Sequence, residues 1–122
     1  MLKKQYRITS EKDFKRIYQK GKFFNIDGIN IRFMPNRLSY TRFAVVVLKK
    51  GTKKAVSRNR VKRQTREIIR LAFLKIKPRF DVVITIKMDL SNKKYQEIEK
   101  SLIEGLKRIK LIDDEKNRNN TN

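Results

Sequence analysis

The 122-residue chain contains no cysteine and no histidine. The first absence excludes disulfides and thiol nucleophiles. The two together exclude Cys/His zinc sites and imidazole acid–base chemistry. Catalysis by protein groups alone would fall to carboxylates, Lys, Tyr or Ser. No apolar run approaches the roughly 20 residues of a membrane-spanning helix. The opening segment Met1-Leu2-Lys3-Lys4-Gln5-Tyr6-Arg7 lacks the apolar centre of a signal peptide, so a cytoplasmic protein is expected. There is no internal repeat. The acids form no paired motif: Asp27, Asp81 and Asp89 stand near the ends of apolar runs, at spacings that suit turns and caps.

Negative charge is scarce altogether. Asp and Glu number 12 against 33 Lys and Arg, a net charge of +21. Charged residues make up 37% of the chain, above the roughly 25% of ordinary globular chains. Such a balance points to a polyanion, because each phosphate neutralised releases about one condensed counterion. Nucleic acid is favoured over a membrane surface. Hydrophobic residues, at 39%, suffice for one modest core. The expected organisation is one α/β domain over residues 1–112, which the resemblance given below makes RNA-binding, with a disordered polar, Asn-rich tail over 113–122.

Periodicity places the elements. Ser10 followed by Glu11 and Asp13 reads as a helix start, Phe14, Ile17 and Tyr18 as one face, and Gly21 as the stop. Ile29-Asn30-Ile31-Arg32-Phe33 alternates as a half-buried strand, and Pro35-Asn36-Arg37 begins a turn. Arg42 to Leu48 and Phe80 to Ile86 are apolar runs suited to inner strands. Ser91 is the expected cap of a last helix carrying Tyr95, Ile98, Leu102, Leu106 and Ile109 on one face, with Gly105 inside it. If the strands flanking the central helix are parallel neighbours, the general rule predicts a right-handed crossover.

That central helix carries most of the signal. Residues 49–79 hold thirteen Lys or Arg and one acid, Glu67. From Ser57 the apolar positions Val61, Ile68, Ile69, Ala72, Phe73 and Ile76, with Thr65 among them, follow one face of a 3.6-residue period ending at Pro78. Asn59, Lys62, Arg63, Arg66 and Arg70 share the sector facing away from most of that stripe, while Arg58 and Arg60 fall outside it. A merely solvated helix mixes charge signs for i, i+4 pairing. The lack of acids here favours a phosphate-binding surface. Asn59 is a residue that charge does not require. It suits contact with a base edge, a 2′-hydroxyl or a metal-bound water, or a role as a backbone cap. Phe14 and Tyr18, one turn apart, suit either core packing or the stacking of unpaired bases. Tyr6, Phe23, Phe24 and Tyr40 are further stacking candidates.

The run Lys49-Lys50, Lys53-Lys54-Ala55-Val56, Arg58-Asn59-Arg60-Val61-Lys62-Arg63 and Arg66-Glu67 closely resembles the arginine-asparagine-arginine signature of the bacterial ribonuclease P protein component. The early Asp13-Phe14…Tyr18 and the late Asp81-Val82-Val83-Ile84 resemble that family's opening helix and closing strand, so the likeness spans about residues 7–110. Ala44 and Val46 depart from a frequent Gly and a hydroxyl residue, Tyr18 from Phe, and Lys87 from Arg.

The resemblance implies an α+β fold: a single-layer mixed β-sheet packed with three helices in the order α-β-β-β-α-β-α. It also implies a left-handed βαβ crossover (ribosomal protein S5 domain 2-like), against the general rule. It implies a subunit of an RNA-based endoribonuclease that binds catalytic RNA and the 5′ leader of precursor tRNA, with Mg²⁺ bound mainly by RNA and substrate and no catalytic or metal-binding residue in the protein. Arg58, Asn59, Arg60, Lys62, Arg63 and Arg66 would face the catalytic RNA. Lys53 and Lys54 of the same frame and Arg70 of the same sector complete the RNA-binding set. Phe14 and Tyr18 would line the leader cleft. Neither a membrane nor DNA is an expected partner. The rival readings are a structural protein of the ribosome, a protein-only metal nuclease and, more weakly, a DNA-binding helix, for which no helix-turn-helix partner precedes Arg58.

Overall fold

The computed structural model describes residues 2–113, so the expected tail falls outside the described residues except for Asp113. The elements are α1 (Glu11–Lys20), β1 (Lys22–Ile26), β2 (Ile29–Pro35), β3 (Arg42–Val47), α2 (Ala55–Ala72), β4 (Phe80–Ile86) and α3 (Tyr95–Arg108), with 3₁₀ turns at Lys4–Tyr6 and Phe73–Lys75. The four strands form one sheet in the order β1-β2-β4-β3. β1 and β2 are antiparallel, β2 and β4 are antiparallel, and β3 and β4 are parallel.

Strand alternation divides the side chains between two faces. Ile29, Ile31, Phe43, Val45, Val82, Ile84 and Ile86 point to the larger core, where Val61, Ile68 and Ile69 of α2 and Ile98, Leu102 and Leu106 of α3 meet them. Val83, on the opposite face, joins Ile8 and Ile17 in a smaller cluster under α1. α1 thus covers one face, and α2 and α3 the other. Residues 2–8 close the outer edge of β3, where Ile8 donates to the Phe43 carbonyl at 2.8 Å.

α2 connects the parallel neighbours β3 and β4, and the hand of that connection follows from chirality. With a strand running upward and an L side chain toward the viewer, its own N–H and C=O point right. Ile86 directs its side chain into the core shared with α2, and its carbonyl accepts from Leu48 N–H at 3.1 Å. Viewed from α2, β3 therefore lies to the right of β4, and the chain passes in front from right to left. The crossover is left-handed. The right-handed rule fails here, as the family resemblance implied.

Other expectations change in detail. β1, which the apolar pattern missed, folds back on β2 through Asp27 and Gly28, whose φ angles of 48° and 81° form a tight two-residue hairpin turn. Ser10 occupies the N-cap position of α1 without a side-chain cap bond, and Ser91 caps nothing. Its N–H and hydroxyl instead bond Asp89 Oδ1 at 2.9 and 2.5 Å, while Lys94 is the cap of α3 and its N–H donates to Glu97 Oε1. Gly21 follows α1 in extended geometry, not left-handed. It is required by close approach, since a Cβ there would lie 2.5 Å from the Ile17 carbonyl oxygen. α2 starts at Ala55, before the expected Ser57, and becomes a 3₁₀ turn at Phe73. Ile76 stays buried beyond it, bridged to Ile112.

Candidate nucleic-acid interface

α2 presents the two faces that its period requires. Val61, Thr65, Ile68, Ile69 and Ala72 are buried. Thr65 tolerates its core slot because its hydroxyl donates to the Val61 carbonyl at 2.7 Å. On the outside, Lys53, Lys54, Asn59, Arg60 and Arg63 are exposed, and Arg58, Lys62 and Arg66 are half-buried. Among the described residues, the only ion pair on α2 joins Arg70 to Glu67, at 2.5 Å. The Arg70 hydrogen bond holds the Glu67 carboxyl below its usual range. Arg70 is thus engaged, whereas Lys62, Arg63 and Arg66 have no ion-pair partner among the described residues.

The first turns of α2 are organised differently from the rest. Lys54 occupies the cap position, so Asn59, already inside the helix, is not the cap. Arg58 Nη1 donates to the carbonyls of Thr52 at 2.9 Å and Lys53 at 2.7 Å. Arg60 turns toward the β4–α3 loop and donates to the Ser91 carbonyl. Both residues lie off the main basic sector by helical phase, and these contacts show where their guanidiniums end.

β3 links this helix to a second candidate surface. Its outward-facing residues Ala44 and Val46 pack with Phe14 and Met34 against the small cluster beneath α1. Phe14 is half-buried there, and Tyr18 is 44% exposed. The Arg32 guanidinium lies over both the Tyr18 ring, at 5.3 Å, and the Phe23 ring, at 5.0 Å. Phe23, 57% exposed, is the stacking candidate that spacing could not select. Tyr6 and Tyr40 are packed together edge-on at 5.3 Å, and Tyr6 also meets Phe73. Register places Asn25, Asn30, Thr85 and Val46 in one rung beside the Arg32 rung. Asn30 Nδ2 donates to Asn25 Oδ1 at 2.8 Å. Aromatic faces, a cation and amide groups together suit unpaired bases and their phosphates.

Sequence reading misplaced Asp81. It is no turn or cap: its side chain is fully buried and accepts from Arg42, Arg16 and Asn36. Burial pushes its carboxyl up, but the hydrogen bonds from Arg42 and Asn36 and the nearby Arg42 and Arg16 charges outweigh that and hold it below the ordinary range. Among the described residues, no three Asp, Glu, His or Cys converge as metal ligands would, and no helix is long and apolar enough to cross a membrane.

Comparison with known proteins bears on this geometry. The Ribonuclease P family model matches residues 2–110. A ribonuclease P protein component from Pseudanabaena sp. is 34% identical over 113 residues, covering 92% of this chain and 97% of the relative. One from Fusobacterium nucleatum is 39% identical over 105 residues, covering 82% and 93%. Among solved structures, the Staphylococcus aureus RNase P protein superposes with a TM-score of 0.81 at 28% identity, covering 88% of this chain and 98% of that one. The Thermotoga maritima RNase P protein superposes at 0.75 with 32% identity, covering 84% and 96%.

Proposed function

The chain belongs to the ribonuclease P protein family, the protein subunit of an RNA-based endoribonuclease for tRNA 5′ maturation, and from that premise we propose how it divides its work between two surfaces. The outer face of α2 and the loop before it, with Lys53, Lys54, Asn59, Arg60, Lys62, Arg63 and Arg66, dock on the catalytic RNA. The cleft between α1 and the sheet, with Phe14 and Tyr18, takes the single-stranded 5′ leader of precursor tRNA. The relatives give no support to a purely ribosomal role.

The observation that carries this reading is the row Lys62, Arg63 and Arg66, which has no ion-pair partner among the described residues on a helix whose other face is buried. Arginine in such a row can meet phosphate oxygens bidentately. Arg58 belongs to this surface by position, with its guanidinium bracing the preceding loop. Arg70 acts only if RNA displaces Glu67. In the cleft, Phe14 and Tyr18 offer rings to bases, and Arg32 adds charge beside them.

Among the described residues, no three carboxylates converge as Mg²⁺ ligands would. The protein's part is to lower repulsion between two polyanions and to hold the leader. The metal ions are assigned to the phosphates of the RNA and substrate. The cytoplasm is the compartment in which catalytic RNA and precursor tRNA would meet the chain.

Reconstitution tests the reading. Protein, catalytic RNA and precursor tRNA are combined over a Mg²⁺ titration, with protein alone as control. Cleavage is expected only with the RNA present, with the protein's benefit greatest at limiting Mg²⁺. Cleavage by RNA-free protein would replace this mechanism with a protein-only nuclease. Phe14→Ala should weaken binding of precursor tRNA more than of mature tRNA, and equal losses would remove the leader cleft.

A further inference from the structure

We propose that Asp13, Arg16, Arg42 and Asp81 form a clasp that sets the roll of α1 and so positions Phe14 and Tyr18 for the 5′ leader; this rests on the leader-cleft reading above.

The clasp is built at one end of the sheet. Arg42, at the start of β3, gives Asp81 two hydrogen bonds: Nε to Oδ1 at 2.9 Å and Nη2 to Oδ2 at 2.7 Å. Asn36 Nδ2 adds a third at 2.9 Å. These belong to the sheet and its loops. α1 joins through Arg16, whose Nη2 lies 2.7 Å from Asp81 Oδ2 and 3.4 Å from Asp13. It joins again through Asp13, 3.3 Å from Arg42 Nη1. Two carboxylates and two guanidiniums thus alternate between helix and sheet. The fully buried member, Asp81, is held by three donor side chains.

Helix geometry gives this network its leverage. α1 is attached to the sheet chiefly at Ile17, which is fully buried against Ile8 and Val83. At about 100° per residue, Asp13 and Arg16 lie on one side of Ile17 around the helix, and Phe14 and Tyr18 on the other. The apolar contacts of α1, at Ile17 and the half-buried Phe14, lie within about 60° of arc around the helix and leave some rotation about its axis. The ion pairs on one flank fix that rotation, and with it the height of both rings on the other flank. Surface ion pairs alone contribute little to stability. Arg16 is 41% exposed, so its geometric role is larger than its energetic one. Its Nε is buried without a partner, an unsatisfied donor accepted in order to deliver Nη2 to both carboxylates.

These are positioning residues, and the test must separate roll from folding. Arg16→Gln is prepared in the reconstituted holoenzyme, with Phe14→Ala beside it. Affinity is measured for precursor tRNA and for mature tRNA, with KM and kcat for the precursor. Arg16→Gln is expected to reduce the leader's contribution to affinity by roughly 3- to 10-fold, the scale of one ordinary hydrogen bond. KM should rise with kcat unchanged, while affinity for mature tRNA and catalytic RNA holds. Arg16→Lys, which keeps the charge without the fork, should recover part of the loss; if Arg16→Gln does not fold, Arg16→Lys carries the comparison. Equal losses for both tRNAs, or none for either, overturn the clasp as a positioning device. If Phe14→Ala separates the two tRNAs and Arg16→Gln does not, the clasp alone falls. If Phe14→Ala fails to separate them, the cleft reading falls and the clasp proposal with it.

Discussion

Arg58 reaches back across the start of α2 and donates to the carbonyl of Thr52 at 2.9 Å. The helix has no side-chain cap at this end, so the same guanidinium that belongs to the basic motif also ties down the loop before it. Arg58→Ala should therefore lower stability by roughly 1–2 kcal/mol as well as RNA affinity. Arg63→Ala, exposed and without an ion-pair partner among the described residues, should change stability by less than about 0.5 kcal/mol while still weakening RNA binding. Urea unfolding alongside RNA titration separates the two; an unchanged unfolding midpoint for Arg58→Ala would deny the brace.

Arg63→Ala and Arg66→Ala should each reduce the slope of log affinity against log salt for the catalytic RNA by about 1. Arg70→Ala should change it less, because its guanidinium is already paired with Glu67. Equal slopes for all three variants would mean that the ion pair opens on binding.

Arg60→Ala and Arg66→Ala are expected to lower cleavage by the reconstituted enzyme at limiting Mg²⁺ and much less at high Mg²⁺. Excess metal can replace the screening that these side chains provide. Insensitivity at every Mg²⁺ level would remove them from the RNA surface.

The folded-state carboxyl of Asp81 is held below its ordinary value. Its contribution to stability is therefore fully present above the unfolded value of about 3.9 and is lost as pH falls through the lower folded value. Unfolding midpoints of the wild type should decline below about pH 4. Asp81→Asn should flatten that decline and lower stability at pH 7 by roughly 3 kcal/mol, since Arg42 and Arg16 lose their buried counter-charge. An acid limb as steep in the variant as in the wild type would show that other carboxyls cause it.

Gly105 lets α3 lie close on the sheet: a Cβ there would stand 2.7 Å from Ile31 Cδ1 and 3.1 Å from Ile26 Cγ2. Gly105→Val should destabilise by roughly 2 kcal/mol, overpacking outweighing the gain in helix propensity. Thermal unfolding reads this directly, and a variant as stable as the wild type would mean that the interface has slack.

Much of this architecture was legible because it rests on periodicity. The buried stripe from Val61 to Ala72 and the face from Ile98 to Leu106 were readable as helices, and the basic sector followed by subtraction. β1 was not legible, because Phe23 and Phe24 interrupt alternation; the Asp27-Gly28 pair was its local signal. Asp81 could not be placed because its partners are 39, 45 and 65 residues away in the chain. Arg58 and Arg60 could be phased, but nothing local says that their side chains end on the carbonyls of Thr52 and Ser91. The crossover's hand is a property of the whole βαβ unit. A rule about typical connections missed it, whereas the likeness to a family carried it.

The strand order has a consequence for synthesis. β4 is the last strand to be made, yet it lies between β2 and β3. Until the ribosome has released residue 86, the nascent chain holds a hairpin and an isolated strand with no partner between them. Throughout that interval the cations of residues 49–79 are already outside the tunnel or leaving it, on a segment not yet anchored to a finished sheet. The chain thus carries 24 of its 33 Lys and Arg residues ahead of the strand that completes the sheet.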